Sequence, residues 1–285
     1  MQTTFDCIPC LIRHSLDSAR HVTQDEAVHE RVLREILMNV SAMDLRQPPV
    51  VMAQQIHRRL RELTGSPDPY RQCKDHFNRM ALELLPGLEQ RVAHAADPLE
   101  TAVRLAIAGN IIDLGVKSHI SDAQIHATID RSLTEPLEGK VEEFREAIRR
   151  AESILYLADN AGEIVFDRLL LEQLPRERVT LAVKGRPIIN DATIDDAEAA
   201  GIPQLVKVID NGSDAPGTVL TDCSPAFRRR FAEADLVIAK GQGNYETLWG
   251  SRERIFFLLQ AKCAIIAQNL GCPLGSLVVR SGHAQ

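Results

Sequence analysis

The chain has 285 residues, 45% apolar and 25% charged, which is material for one large domain or two modest ones and excludes a disordered or collagen-like polymer. Lys and Arg number 33 against 39 Asp and Glu, a net charge of −6, and aromatics are only 4%, which argues against a basic or stacking surface for nucleic acid. The 6 cysteines read as thiols of a reducing compartment. No run approaches the ~18 apolar residues of a membrane span, and the opening MQTTFDCIPCLIRH lacks a signal-peptide pattern, so a cytoplasmic protein with no nucleic-acid or membrane partner is expected.

Residues 1–148 read as an all-helical domain. Ile8, Leu11, Ile12, Leu16 and Ala19 share one helical face, with Asp6 as N-cap and Pro9 in the first turn. Val28, Val32, Leu33, Ile36, Leu37 and Val40 form the next face. Further helices are predicted over 49–63, 73–85, 98–114, 122–133 and 140–151, with Gly65, Pro67–Pro69 and Pro86-Gly87 as breaks.

From residue 149 to 285 the texture changes. Apolar runs of strand character, at 154–158, 179–183, 205–209, 235–239 and 255–259, alternate with helical stretches around 164–174, 192–200 and 225–234. Such alternation specifies an α/β fold, a Rossmann-like three-layer α/β/α domain with a mostly parallel sheet.

Four of these strands end in polar, glycine-containing tips. They are Asp159-Asn160-Ala161-Gly162-Glu163, then Lys184-Gly185 followed by Asn190-Asp191, then Asp210-Asn211-Gly212-Ser213-Asp214, and last Lys240-Gly241-Gln242-Gly243-Asn244. In an open parallel sheet the carboxyl ends of the strands share one edge, and ligands bind there. Carboxylates and amide oxygens suit a hard divalent cation. Lysines and glycine-freed backbone N–H groups suit a phosphate. A single Asp-Asn or Lys-Gly tip is ordinary turn chemistry; it is their succession that points to a site. There is no P-loop, no GxSxG elbow and no HExxH, and Gly241-Gln242-Gly243 lacks the third glycine of a dinucleotide fingerprint.

Cys7-Ile8-Pro9-Cys10, Asp68-Pro69-Tyr70, Gly109-Asn110 with Asp113, the Asp159–Glu163 tip, Asn190-Asp191 and Lys240–Glu246 occur in that order. Together they resemble the metal-dependent damage-control phosphatase family, long catalogued as a domain of unknown function, in its prokaryotic and archaeal branch with an N-terminal CxxC. The resemblance spans almost the whole chain. It implies a helical part packed on a Rossmann-like part, and hydrolysis of small phosphorylated metabolites such as sugar phosphates, supported by Mn, Co or Ni, with Mg as a further candidate. It implies that Asp159, Asn160 and Asp191 hold the metal and that Lys240 serves the phosphate. Asn110, Asp113, Glu163, Asn190, Lys184, Gly241, Gly243 and Glu246 are then candidate substrate-side residues. Independently, Asn110 shares a helical face with Val103, Ala106 and Ile107, an odd place for an amide without a buried partner.

Two rival functions stay open: an S-adenosylmethionine-dependent methyltransferase, and a non-catalytic module that senses a metal or metabolite. Cys7 and Cys10 fall in a helix's first turn, where the macrodipole favours a thiolate. A zinc site, a redox pair and two packed thiols are all compatible with that spacing.

Overall fold

The computed structural model describes residues 1–112, 122–251 and 254–282. Helices α1 (Cys7–Val22), α2 (Glu26–Ala42) and α3 (Pro49–Thr64) close on an apolar cluster of their own around Leu11, Ile36, Ile56 and Leu60. Asp25 caps α2 by accepting the Ala27 N–H at 2.9 Å, whereas Asp6 stands before α1 without a side-chain cap bond. Helix α4 (Arg71–Ala93) runs straight through Pro86, where a break is predicted. Leu85, Leu88 and Val92 continue its buried stripe across the proline, so tertiary burial outweighs the lost helix bond. Then come α5 (Pro98–Ile112), α6 (Asp122–Thr134) and α7 (Val141–Arg150).

The expected all-helical first part needs one correction: Leu137–Gly139 form a short strand, β1, on an edge of the sheet. Three residues beside a partner are too few to leave a period-2 signal. The remaining strands are β2 (Ile154–Leu157), β3 (Val179–Val183), β4 (Lys207–Asp210), β5 (Leu236–Lys240), β6 (Ile255–Gln260) and β7 (Leu277–Ser281). Between them lie α8 (Glu163–Leu171), α9 (Ile194–Ala199), α10 (Pro225–Glu233), α11 (Gly241–Leu248) and α12 (Ala264–Leu270). Strand β4 starts two residues later than predicted, because a 3₁₀ turn at Ile202–Gln204 takes up the chain before it.

The sheet order is β1-β7-β6-β5-β2-β3-β4, parallel except for β6 against β7. Strands β2, β3 and β5 are buried along their whole length, which explains their unbroken apolar runs. From β2 the chain winds outward to β3 and β4, then returns to β5 on the other side of β2. The strand order therefore reverses between β2 and β5, and the crevice at their carboxyl ends is where such sheets bind ligands. One apolar core joins α4–α8 to one face of the sheet, crossing residue 148, and a second covers the other face under α10–α12. Among the described residues no helix is long and apolar enough to cross a membrane.

Candidate active site

Three of the four predicted tips, those after β2, β3 and β5, converge at the reversal point, whereas the tip at 210–214 after the edge strand β4 is held by Arg58 and Arg61 of α3. Backbone bonds lock two of the three together: Ala161 N–H donates to the Asn190 carbonyl at 2.8 Å, and Ala192 N–H to the Asp159 carbonyl at 2.8 Å. Asn160 and Asp191 thereby face each other in an isolated antiparallel bridge. Asp159 is half-buried; Asn160, Asn190 and Asp191 are buried.

Asn110 finds the partners its apolar helix face requires. Its Nδ2 donates to Asp159 Oδ2 at 2.6 Å and to Glu163 Oε2 at 2.5 Å. Asn160 Nδ2 reaches the same two oxygens at 2.8 and 2.9 Å. Gly109 makes this approach feasible, since a Cβ there would lie 3.0 Å from Phe166 Cβ and 3.2 Å from Glu163 Cα. Gly241, at φ +75°, runs directly beneath Asp159, and a Cβ on it would overlap Asp159 Oδ2.

Two carboxylates thus share two amide donors in a confined space. Burial, then the neighbouring Glu163 charge, pushes the Asp159 carboxyl up from its ordinary range. Clustered, desolvated negative charge of this kind fits a cation, as does the carboxylate and amide donor chemistry of Asp159, Asn160 and Asp191. Among the described residues no three His, Cys, Asp or Glu side chains form a group that could hold a metal ion by themselves.

The lysines divide differently from expectation. Lys240 is fully buried, and its Nζ donates to Glu163 Oε1 at 2.7 Å, Asp167 Oδ1 at 2.6 Å and the Ala106 carbonyl at 2.9 Å. All three ammonium donors are engaged beneath the site, which corrects its expected place on the phosphate. On a central strand its side chain enters the face covered by α5 and α8, where two acids meet it. Lys184 Nζ lies 3.4 Å from Asp191 Oδ2 and donates to the Gly217 carbonyl. Gly243, in the first turn of α11, packs against Gly217 in the loop after β4. Glu246 is buried, receives Gln242 Nε2 at 2.8 Å, and is pushed up by burial. Asp113 lies outside the described residues.

The sequence reading missed Lys262, two residues beyond β6. Its Nζ donates to the Asn110 carbonyl at 2.7 Å, and its charge favours the ionised form of Asp159. The signal was available, because the tip of the fifth apolar run ends on the same sheet edge as the other four. Asp167, the second acid on Lys240, was also missed; it sits in α8, where every residue but Arg168 is buried. All 6 cysteines are unbridged, with Cys7 half-buried and Cys10 exposed at the start of α1.

Residues 3–278 match the damage-control phosphatase ARMT1-like domain. The chain is 37% identical over 283 residues to a damage-control phosphatase of Archaeoglobus fulgidus, covering 96% of this chain and 97% of the relative. A damage-control phosphatase of Pyrococcus horikoshii is 34% identical over 98% of this chain and 97% of its own length. An uncharacterized protein of Methanocaldococcus jannaschii is 36% identical over 96% of this chain and 93% of its own length. The crystal structure of a DUF89 family protein from Pyrococcus horikoshii superposes with a TM-score of 0.90 at 32% identity, over 99% of this chain and 100% of that one. This chain therefore belongs to the damage-control phosphatase ARMT1-like domain family.

Proposed function

We propose that the chain hydrolyses small phosphate monoesters, sugar phosphates among them, in the cytoplasm, with a divalent cation held by Asp159, Asn160 and Asp191. The observation that carries this reading is the pairing of two acidic tips with flanking lysines at the strand-order reversal. When bound, the ion supplies Lewis-acid polarisation of the phosphoryl group and acidifies water. Mn, Co, Ni and Mg all suit oxygen and amide donors.

The protein's own groups have distinct tasks in this reading. Asp159 and Asp191 bring negative charge to the edge of the sheet, and Asn110 and Asn160 hold Asp159 against Glu163. Among the described residues Lys262 spends one donor, on the Asn110 carbonyl, and its remaining donors are the ones assigned to charge on the transferring phosphoryl oxygens. Lys184 balances Asp191 from the other side. Lys240 pairs with both Glu163 and Asp167 within a buried cluster. The β2–α8 turn carries a single glycine and is filled by amides and acids, an observation that favours phosphate over S-adenosylmethionine.

The test is phosphate release from a panel of phosphorylated metabolites, with EDTA and with added Mn, Co, Ni or Mg. Metal-stimulated release is expected. Asp159→Ala or Asp191→Ala should lower turnover at least ~100-fold while the fold survives. Metal-independent release, or wild-type turnover in both variants, would overturn the reading.

A further inference from the structure

The two acidic tips are also joined from outside the sheet. Asn78, on α4, is buried at 2% exposure. Its Oδ1 accepts the Gly162 N–H at 2.7 Å, and its Nδ2 donates to Asp196 Oδ1 at 3.0 Å. Gly162 lies two residues past Asn160 and is the N-cap of α8. Asp196 closes the capping box of α9 by accepting from Thr193 N–H at 2.9 Å and Thr193 Oγ1 at 2.7 Å, and Thr193 lies two residues past Asp191. One amide therefore holds the first tip directly and the second through Asp196 and its bonds to Thr193.

The surroundings keep that amide in register. Asp196 is fully buried and ion-paired with Lys74 at 2.8 Å and Arg71 at 2.7 Å. Lys74 also reaches Asp68 at 3.3 Å. Asp68, Arg71, Lys74 and Asn78 thus line one face of the start of α4 and the turn before it. Gly162, at φ +76°, sits so close to α4 that a Cβ would be 2.9 Å from Phe77 Cβ. A buried amide with both ends satisfied by fixed partners is rigid, because losing either bond leaves a buried polar group unpaired.

We infer that Asn78 is a positioning residue: through α4 it sets the spacing between the Asp159-Asn160 tip and the Asp191 tip. The bridge itself stands on the hydrogen bonds, while its use in holding a cation rests on the function proposed above. Supporting partners of metal ligands commonly change affinity 10- to 100-fold when removed.

The experiment compares four full-length variants with wild type. Asn78→Leu removes both bonds at similar volume. Asn78→Asp keeps the acceptor for Gly162 but sets two carboxylates together. The double variant Asn78→Asp/Asp196→Asn restores donor against acceptor with the total charge unchanged. Phe144→Leu, whose ring packs on Phe256 at the opposite end of β6, is a control for general loss of stability. Gly162 amide hydrogen exchange is read without metal, and Mn affinity is read by calorimetry. Asn78→Leu is expected to speed Gly162 exchange and to weaken Mn binding about 10- to 100-fold. Asn78→Asp should keep Gly162 protected yet bind Mn more weakly, and the double variant should recover part of that loss. Phe144→Leu should leave Mn affinity at the wild-type value. Unchanged Gly162 exchange in Asn78→Leu would show that the bridge does not exist. Lost protection with wild-type Mn affinity would show that it is structural only. Wild-type protein that takes up no Mn would sink the metal reading, and the positioning of a metal site with it, whatever the exchange shows.

Discussion

At the scale of single residues, two lysines that look alike in sequence are set apart by burial. Lys240 has no exposed surface and neutralises two buried acids, Glu163 and Asp167. Lys240→Met would leave both without a counter-ion, a class of change that costs about 3–5 kcal/mol. Its melting temperature is expected to fall sharply, and any loss of turnover should follow from misfolding. Lys262 is half-buried beside Asn110. Lys262→Met should therefore melt close to wild type and keep its metal affinity, with kcat/KM down about 10- to 1000-fold for one lost charge-stabilising donor. Thermal melts, metal titration and kinetics on the two variants separate the roles. A Lys240→Met protein that melts like wild type would contradict the buried ion-pair assignment, and wild-type kcat/KM in Lys262→Met would remove that lysine from the phosphate.

At the scale of elements, the junction between β5 and α11 is the tightest point of the site. Gly241 has a positive φ and passes under the Asp159 carboxylate. In Gly241→Ala the new methyl must displace that carboxylate, and the backbone strain adds on the order of 1 kcal/mol. Metal affinity should fall at least ~10-fold with only a small drop in melting temperature, as calorimetry and thermal melts can show; unchanged affinity would mean that the tip has room to spare. Why this junction was partly legible in sequence is clear from its chemistry. Strand runs such as ILYLA and VTLAV are buried on both faces, so they are continuous, and their polar tips stand out against them. Asn110 could be marked as needing a partner because an amide interrupts an apolar stripe. The direction of Lys240 was not legible, since that depends on which face of a central strand α5 and α8 cover. Asn78 and Asp167 were hidden for a related reason: a polar residue on a helix reads as solvated until another element buries it. Strands β1 and β7 lie at or next to an edge, where short or half-polar segments leave little pattern.

At the scale of the whole molecule, helices α3 and α4 strap the helical part to the sheet through ion pairs, and these straps and the site respond to pH with opposite sign. Asp214 is contacted by Arg58, Gln54 and Arg61, which hold its carboxyl down at about 2 despite its burial. A depressed acid contributes stability that is present above its unfolded value near 4 and lost as pH falls towards 2. Asp159 and Asp167 are shifted the other way, to about 6, first by burial and, in both, by the charge of Glu163 as well. Between about pH 4 and 6 the folded metal-free chain holds protons that the unfolded chain has released, so stability falls as pH rises through that window. On the proposed function, a divalent cation held at Asp159 by the folded form alone would take the place of the proton and add stability at neutral pH by mass action. Two outcomes are expected from melting scans. In EDTA, the melting temperature of the wild type should fall between pH 5 and 7.5 relative to Asp159→Asn, which has lost one of the two titrating acids. With Mn at pH 7.5, the wild type should gain stability and Asp159→Asn should gain much less. Parallel pH profiles for the two proteins in EDTA would show that Asp159 is not a strained acid in the metal-free fold, and an equal response to Mn would move the cation away from this tip.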